Sequence, residues 1–282
     1  IEKLNTKTGE TISAFVYPYW HPDGRYVAFS TNTTRQGFHV VKEERIEVFD
    51  LESDLQVLDT KTNELVLSPS VKRADSWETY PSFSPDGKTI YFCSAKPKNY
   101  PLEFKDVKYC ICKASFDPKT GKIGEQIDTL VNNDKSVVFP RPSYDGKWLM
   151  YTQADYGCFP IWHKEADLYM LDLKTGESFK MNNVNSDDTE SFHNWNVNSH
   201  WFVFSSRRGD GLYTRLYLSS IDDKGKATKP FLLPQKDPKH YYERMIHSYN
   251  VPDFTSEKVE FDQRSAANEI LSGHSSAVSS RR

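Results

Sequence analysis

Long apolar runs, net charge and cysteine motifs are all scarce in this 282-residue chain, and each scarcity excludes a class of function. No apolar stretch approaches the roughly 20 residues that a membrane-crossing helix needs, so none is expected. The 36 Lys and Arg nearly balance the 39 Asp and Glu, with both signs mixed throughout. Neither a nucleic-acid footprint nor a polybasic membrane patch follows from such a charge pattern. The four cysteines, Cys93, Cys110, Cys112 and Cys158, form neither Cys-x-x-Cys nor Cys-x-x-Cys-His. That argues against a zinc ribbon or covalently attached haem within the chain. Gly-x-Ser-x-Gly, the elbow of a hydrolase nucleophile, does not occur, and neither does His-Glu-x-x-His.

Aromatic residues are plentiful, at 14%, and they recur in a pattern. Tyr17-Pro-Tyr-Trp-His-Pro-Asp-Gly24, Tyr80-Pro-Ser-Phe-Ser-Pro-Asp-Gly87 and Phe139-Pro-Arg-Pro-Ser-Tyr-Asp-Gly146 are three copies of one segment; Phe192-His-Asn-Trp-Asn-Val-Asn-Ser199 is a more degenerate fourth. Each copy has a second aromatic five residues beyond its end, at Phe29, Phe92, Tyr151 and Phe204. The copies end 63, 59 and 53 residues apart, a period suited to a four-stranded blade with long connections. Pro presets φ, Asp bonds its own backbone and Gly accepts a positive φ, so each copy reads as a strand entering a tight turn. The apolar runs that follow, such as Ile90-Tyr-Phe-Cys93, are too short for helices and suit strands packed on both faces. Alternating third strands end in a second turn at Lys61-Thr-Asn, Lys119-Thr-Gly and Lys174-Thr-Gly. The fold expected is all-β, a β-propeller of four-stranded antiparallel blades.

Four full blades are expected, near 11–70, 74–131, 133–182 and 186–234, with a partial one at 241–262. One propeller domain then covers 1–262, starting mid-repeat, and 263–282 is a C-terminal tail whose Ser- and Arg-rich end, 272–282, is expected to be disordered or ordered only by contacts. The native ring is expected to close with five or six blades, and the two termini to meet in completing one. The fourth turn, with Asn198-Ser199 in place of Asp-Gly, can still be tight.

The run from Tyr80 to Ser94, Tyr-Pro-x-x-Ser-Pro-Asp-Gly-Lys-x-Ile-x-Phe-x-Ser, together with Asp-Leu-Tyr-x-x-Asp-Leu-Lys-Thr-Gly-Glu at Asp167 to Glu177, resembles the WD-like repeat of TolB-type propellers. The resemblance covers about residues 10 to 235. It implies a periplasmic or otherwise extracytoplasmic setting and a protein or peptide partner in the cell envelope. It transfers no catalytic residue, metal or cofactor, so the reading is a non-enzymatic binding module. A second class stays open, because the repeats also resemble those of oligogalacturonate lyases, which act on acidic sugar polymers through a histidine-held metal. That reading requires His39, His163, His193, His240 and His247 to supply at least three converging imidazoles.

Strand direction puts the Pro-Asp-Gly and Lys-Thr-Gly turns on one face of the disc. The long connections 31–44, 68–79, 95–106, 153–165, 182–191 and 206–212 fall on the other face, where binding residues are expected. Candidates there are Arg35 and His39, Trp162 and His163, and Arg207 and Arg208. The two adjacent guanidiniums suit a carboxylate or phosphate, or else pair with acidic residues of neighbouring blades. Tyr17, Tyr80, Phe139 and Phe192 read as core packing. Cys110 and Cys112 point to one face of their strand; packing of reduced thiols is the simpler reading for all four cysteines.

Overall fold

The computed structural model describes residues 2–39, 46–244 and 246–282. Four antiparallel sheets follow one another along the chain, each with four strands in chain order from the axis outward. Blade 1 comprises Phe15–Trp20, Tyr26–Phe38, Ile46–Asp59 and Glu64–Val66; blade 2 comprises Trp77–Phe83, Thr89–Ala95, Tyr109–Asp117 and Lys122–Val131. Blade 3 comprises Ser136–Pro142, Trp148–Ala154, Asp167–Asp172 and Ser178–Lys180; blade 4 comprises Glu190–Trp195, Trp201–Ser206, Arg215–Ser220 and Phe231–Leu232. The protein is a β-propeller with these four blades.

The aromatic residue of each repeat adopts the same unusual backbone. Tyr17, Tyr80, Phe139 and Phe192 have φ of 51°, 53°, 57° and 48°, and the ladder of each innermost strand slips at that point. A left-handed conformation costs about 1–2 kcal/mol in a non-glycine residue. The bulge offsets this by turning the rings toward the neighbouring blades, where Tyr17–Tyr80, Tyr80–Phe139 and Phe139–Phe192 centroids lie 4.4, 4.3 and 4.7 Å apart. It also accommodates the following Pro18, Pro81 and Pro140, which have no N–H to give a ladder. In the fourth copy His193 replaces proline, and its Nε2 lies 3.0 Å from the Met150 carbonyl of blade 3.

The blade turns repeat just as closely. Gly24, Gly87 and Gly146 donate N–H to the carbonyl three residues back at 2.9, 2.9 and 3.0 Å, and Ser199 does the same at 2.9 Å with φ of 60°. The fourth turn is therefore tight without glycine. Hydrophobic layers fill the spaces between blades: Phe92, Ile90 and Val57 between blades 1 and 2, Tyr80, Tyr151 and Ile111 between 2 and 3, and Trp195, Phe204 and Met170 between 3 and 4.

Two expectations about the C-terminal third need correction. Among its described residues, 241–262 holds no strand; Lys239–Arg244 forms a π-helical turn, and Gln263–Leu271 is an α-helix capped by the Asp262 carboxylate. The tail is ordered as well. Ser279–Arg281 adds to blade 1 as a fifth strand, parallel to Glu64–Val66, while Ser276–Ala277 pairs in parallel with Leu4–Asn5. Val278 packs on Phe29, Leu58 and Leu65, which among the described residues no neighbouring blade covers. The termini do meet, but outside blade 1 and in parallel.

Candidate functional site

The long-loop face is not a set of open loops. Residues 31–38, read above as connection, continue the second strand of blade 1, and pairing with the third strand runs from Tyr26↔Asp59 to Phe38↔Ile46 with one register slip between Thr33 and Thr34. Threonines favour extended backbone, which a polar-loop reading of Thr31, Thr33 and Thr34 overlooks. The remainder of the expected connection, 40–44, lies outside the described residues. The hairpin so formed reaches across to blades 2 and 3. Phe49 packs on Tyr100 and Phe104 at 4.7 and 4.9 Å, and Phe104 packs on Tyr156 at 5.6 Å.

At its far contact, Glu47 meets His163. The Glu47 carboxylate is 2% exposed; it accepts from the Tyr156 hydroxyl at 2.7 Å and from His163 Nε2 at 3.1 Å. His163 Nδ1 lies 3.5 Å from Glu165. Burial disfavours an imidazolium, but the Glu165 and Glu47 carboxylates outweigh it and lift His163 to about 9. Glu165, despite partial burial, is held at about 2 mainly by the same imidazolium. His163 is thus a latch for the hairpin through Nε2, while Nδ1 faces Glu165 as an ion pair without a hydrogen bond. Beneath it, Asp50 accepts from Asn32 and Thr34, each at 2.9 Å, and burial raises its pKa. The cavity among Glu47, Asp50, Tyr109, Tyr156 and Cys158 is about 20 Å³, too small for an organic ligand.

The other long-loop candidates are distributed among separate structural roles. Arg207 is 4% exposed, stacks over Trp162 at 4.7 Å and donates to the carbonyls of Ile161 and Gly211. Arg208 donates to Glu190 at 2.8 Å and to Val184 O at 2.6 Å, and lies over Tyr217. Arg208 thus has an acidic partner, the fully buried Glu190, but on its own blade rather than a neighbouring one, and Arg207 Nε lies 3.9 Å from Asp188. Arg35 and His39 are exposed; Arg35 sits on the strand rather than on a loop, and His39 is the bend residue just after it. Trp162 and Arg207 come together; the six candidates as a set do not.

Nor do the histidines converge. His163 is latched, His193 is buried with its pKa pushed down to about 3 by burial and then by Arg141, and His39, His240 and His247 are exposed. Among the described residues, no three His, Cys, Asp or Glu side chains are placed to hold a metal.

An open concavity lies on the opposite face, around the axis, where the turns were expected to leave little room. It measures about 540 Å³ and is lined by all four blades, with Tyr19, Trp20, Phe83, Tyr144 and Asn194 among the walls and Asp253 beside them. Tyr19, Ser82, Arg141 and Asn194 occupy one repeat position, two residues after the left-handed aromatic. Arg141 stacks over Tyr19 at 4.8 Å and its Nη1 donates to the carbonyls of Pro140 and Pro81. Asn194 donates to Asp253 at 2.9 Å. Trp20 and Tyr144, 57% and 47% exposed, stand at the rim. Sequence reasoning passed over this face because it read the turn side as tight, and residue type alone does not mark Trp20 as exposed where Phe83 and Trp195 at the same repeat position are buried.

No family model matches the sequence, and no curated protein matches it. Solved structures do match over most of the chain. TolB from Acinetobacter baumannii is 16% identical with a TM-score of 0.44, over 78% of this chain and 46% of that one. A puromycin-hydrolyzing peptidase of Mycobacterium tuberculosis is 12% identical with a TM-score of 0.47, over 83% and 41% of the two chains. Prolyl oligopeptidase B of Galerina marginata is 14% identical with a TM-score of 0.48, over 78% and 28%. This chain therefore spans less than half the length of each. The propeller assignment stands on the strand register described above.

Proposed function

We propose that this chain is a non-catalytic binding module of the cell envelope that holds a protein or peptide partner at the turn-face mouth of its channel. One observation carries the reading: two large aromatic side chains, Trp20 and Tyr144, stand exposed at the rim of an axial concavity, whereas Phe83 and Trp195, at the repeat position of Trp20, are buried. Exposed Trp and Tyr around a concave site supply contact area with little entropy to lose, and such residues dominate binding energies. Arg141 below the rim and Asp253 beside it give the site both charges, so a segment with an apolar anchor and a flanking polar group suits it. The extracytoplasmic setting rests on the repeat resemblance. Arg35 and His39 are the exposed members of the long-loop set and form a second, smaller contact surface in this reading. An enzyme on acidic sugars is not favoured, since the histidines are spent on a latch, a blade contact and separate surface positions.

The test is selection of displayed peptides on the immobilised protein, followed by affinity measurements with Trp20→Ala and Tyr144→Ala. Each substitution is expected to weaken selected peptides by about tenfold or more, with unfolding midpoints unchanged. Peptides that bind the doubly substituted protein as tightly as the parent would place the docking surface elsewhere.

A further inference from the structure

Arg141 leaves blade 3 at the repeat position that Tyr19 and Asn194 occupy in blades 1 and 4, where both line the axial concavity. Its guanidinium stacks over Tyr19 of blade 1 at 4.8 Å, and its Nη1 donates to the Pro81 carbonyl of blade 2 at 3.4 Å. A side chain that starts on blade 3 and touches blades 1 and 2 lies across the axis. Its charge is felt on blade 4 as well, where it helps push His193 down. Burial works against that charge and lowers Arg141 from the ordinary arginine value.

A buried cation is ordinarily paired, because an unpaired one is costly to take out of water. Arg208 follows that rule, with Glu190 at 2.8 Å. Arg141 does not: its Nη1 is spent on the carbonyls of Pro81 and Pro140, but among the described residues no carboxylate pairs with it, and Nε and Nη2 have no acceptor. Neither of these two nitrogens is sealed from solvent. Together they are the edge of a guanidinium that takes a carboxylate through two parallel hydrogen bonds. Asp253, in the same concavity, accepts from Asn194 and from the Phe254 amide on Oδ1 alone, which leaves Oδ2 for a further donor.

The concavity is also a dead end. Two residues deeper along the same strands lie Tyr17, Tyr80, Phe139 and Phe192, packed ring to ring. Tyr80, Phe139 and Phe192 are at most 8% exposed, so no open channel continues past them. An extended chain enters such a site by its end and does not thread it. A carboxylate for Arg141, an N–H for Asp253 and an apolar side chain for Trp20 and Tyr144 are what the end of a peptide offers.

Resting on the turn-face site, we propose that the partner is held there by its C-terminus, with the α-carboxylate on Nε and Nη2 of Arg141 and an apolar side chain near the chain end against Trp20 and Tyr144.

Random hexapeptides on beads, ending either in a free carboxylate or in a carboxamide, are panned on the immobilised protein, and the binders are resynthesised in both forms. Free acids should bind the parent about 10-fold or more tightly than their amides. Trp20→Ala should weaken them by a similar factor, and Arg141→Met should bring the ratio of acid to amide affinity close to 1. That ratio compares two ligands on one protein, so a misfolded variant, which loses both, cannot imitate the result, and the comparison on the parent needs no variant. Binders that depend on Trp20 but whose acid and amide forms agree within about twofold would overturn the C-terminal assignment while leaving the turn-face site in place. An acid preference that survives Arg141→Met would do the same, as would amidated peptides held at Arg141 by an Asp or Glu side chain. Binding that is indifferent to Trp20 in both libraries, or no binding in either, would remove the turn-face site and this assignment with it.

Discussion

Several side chains that look chemically ready are engaged in holding the fold, and His163 shows how far such engagement goes. Its imidazole lies between Glu47 of the crossing hairpin and Glu165 of its own blade, at 3.1 and 3.5 Å. Because its pKa is raised from 6.5 to about 9 in the folded protein, its contribution to stability is complete below about 6.5 and disappears as pH rises through 9. The difference corresponds to at most about 3 kcal/mol, shared with the two carboxylates. Urea unfolding between pH 6 and 10 should therefore show a steeper alkaline loss for the parent than for His163→Gln, which cannot titrate. Parallel profiles would mean that the latch is uncharged. Ser199 shows the same economy: it accepts a left-handed φ of 60°, yet its hydroxyl accepts the Asp145 amide of the neighbouring blade at 2.9 Å, a contact that glycine would lose.

Among elements, the parallel strand Ser279–Arg281 shows how a blade with no neighbour on one side is protected. Arg281 donates to Asp59 at 2.7 Å and to Glu64 at 2.5 Å, and Arg25 reaches the same Asp59 at 2.7 Å. Burial acts against the Asp59 carboxylate, but the two guanidiniums win and hold its pKa well below the usual 3.8. Stability from this cluster is therefore present above about 3.8 and fades as pH falls. Arg281→Ala leaves Asp59 with Arg25, so the cost should be about 1–2 kcal/mol, not the 3–5 of an abandoned buried charge. Urea midpoints at neutral pH and in strong acid should show the gap narrowing in acid; a constant gap would attribute the loss to packing alone. Local sequence could not reveal this strand, since Ser and Arg carry little strand preference and its pairing partner is more than 200 residues away. The blade turns were legible because Pro, Asp and Gly act within four residues. The crossing hairpin lay between: its threonines and Ile46-Glu-Val-Phe carry strand signal, but its destination at Tyr100, Phe104 and His163 is a long-range fact. The same divide holds for function, where residue type suggested Arg207 and Arg208 and only packing shows them spent.

In the whole molecule, each blade is joined to the next by its own hydrophobic layer, as in any repeat array, and such arrays unfold piecewise unless something couples distant units. Here the blade 1 hairpin is that coupling. Phe49, 6% exposed, packs on blade 2 residues Tyr100 and Phe104, and two residues before it Glu47 is held by Tyr156 and His163 of blade 3. One element thus ties three blades on the long-loop face while leaving the axial mouth open on the other. Phe49→Ala removes a buried aromatic, a loss of about 3–5 kcal/mol. If the hairpin couples the blades, more than the midpoint must change. The parent should unfold in one transition by both far-ultraviolet circular dichroism and tryptophan fluorescence, whereas in the variant the two probes should separate and the apparent urea slope should fall. Blade 1 amides should then exchange faster than those around Trp148 and Trp195 in blades 3 and 4. A shifted midpoint with coincident probes and an unchanged slope would show that the hairpin adds stability without coupling, and the three layers between blades would then suffice to make the propeller fold as one unit.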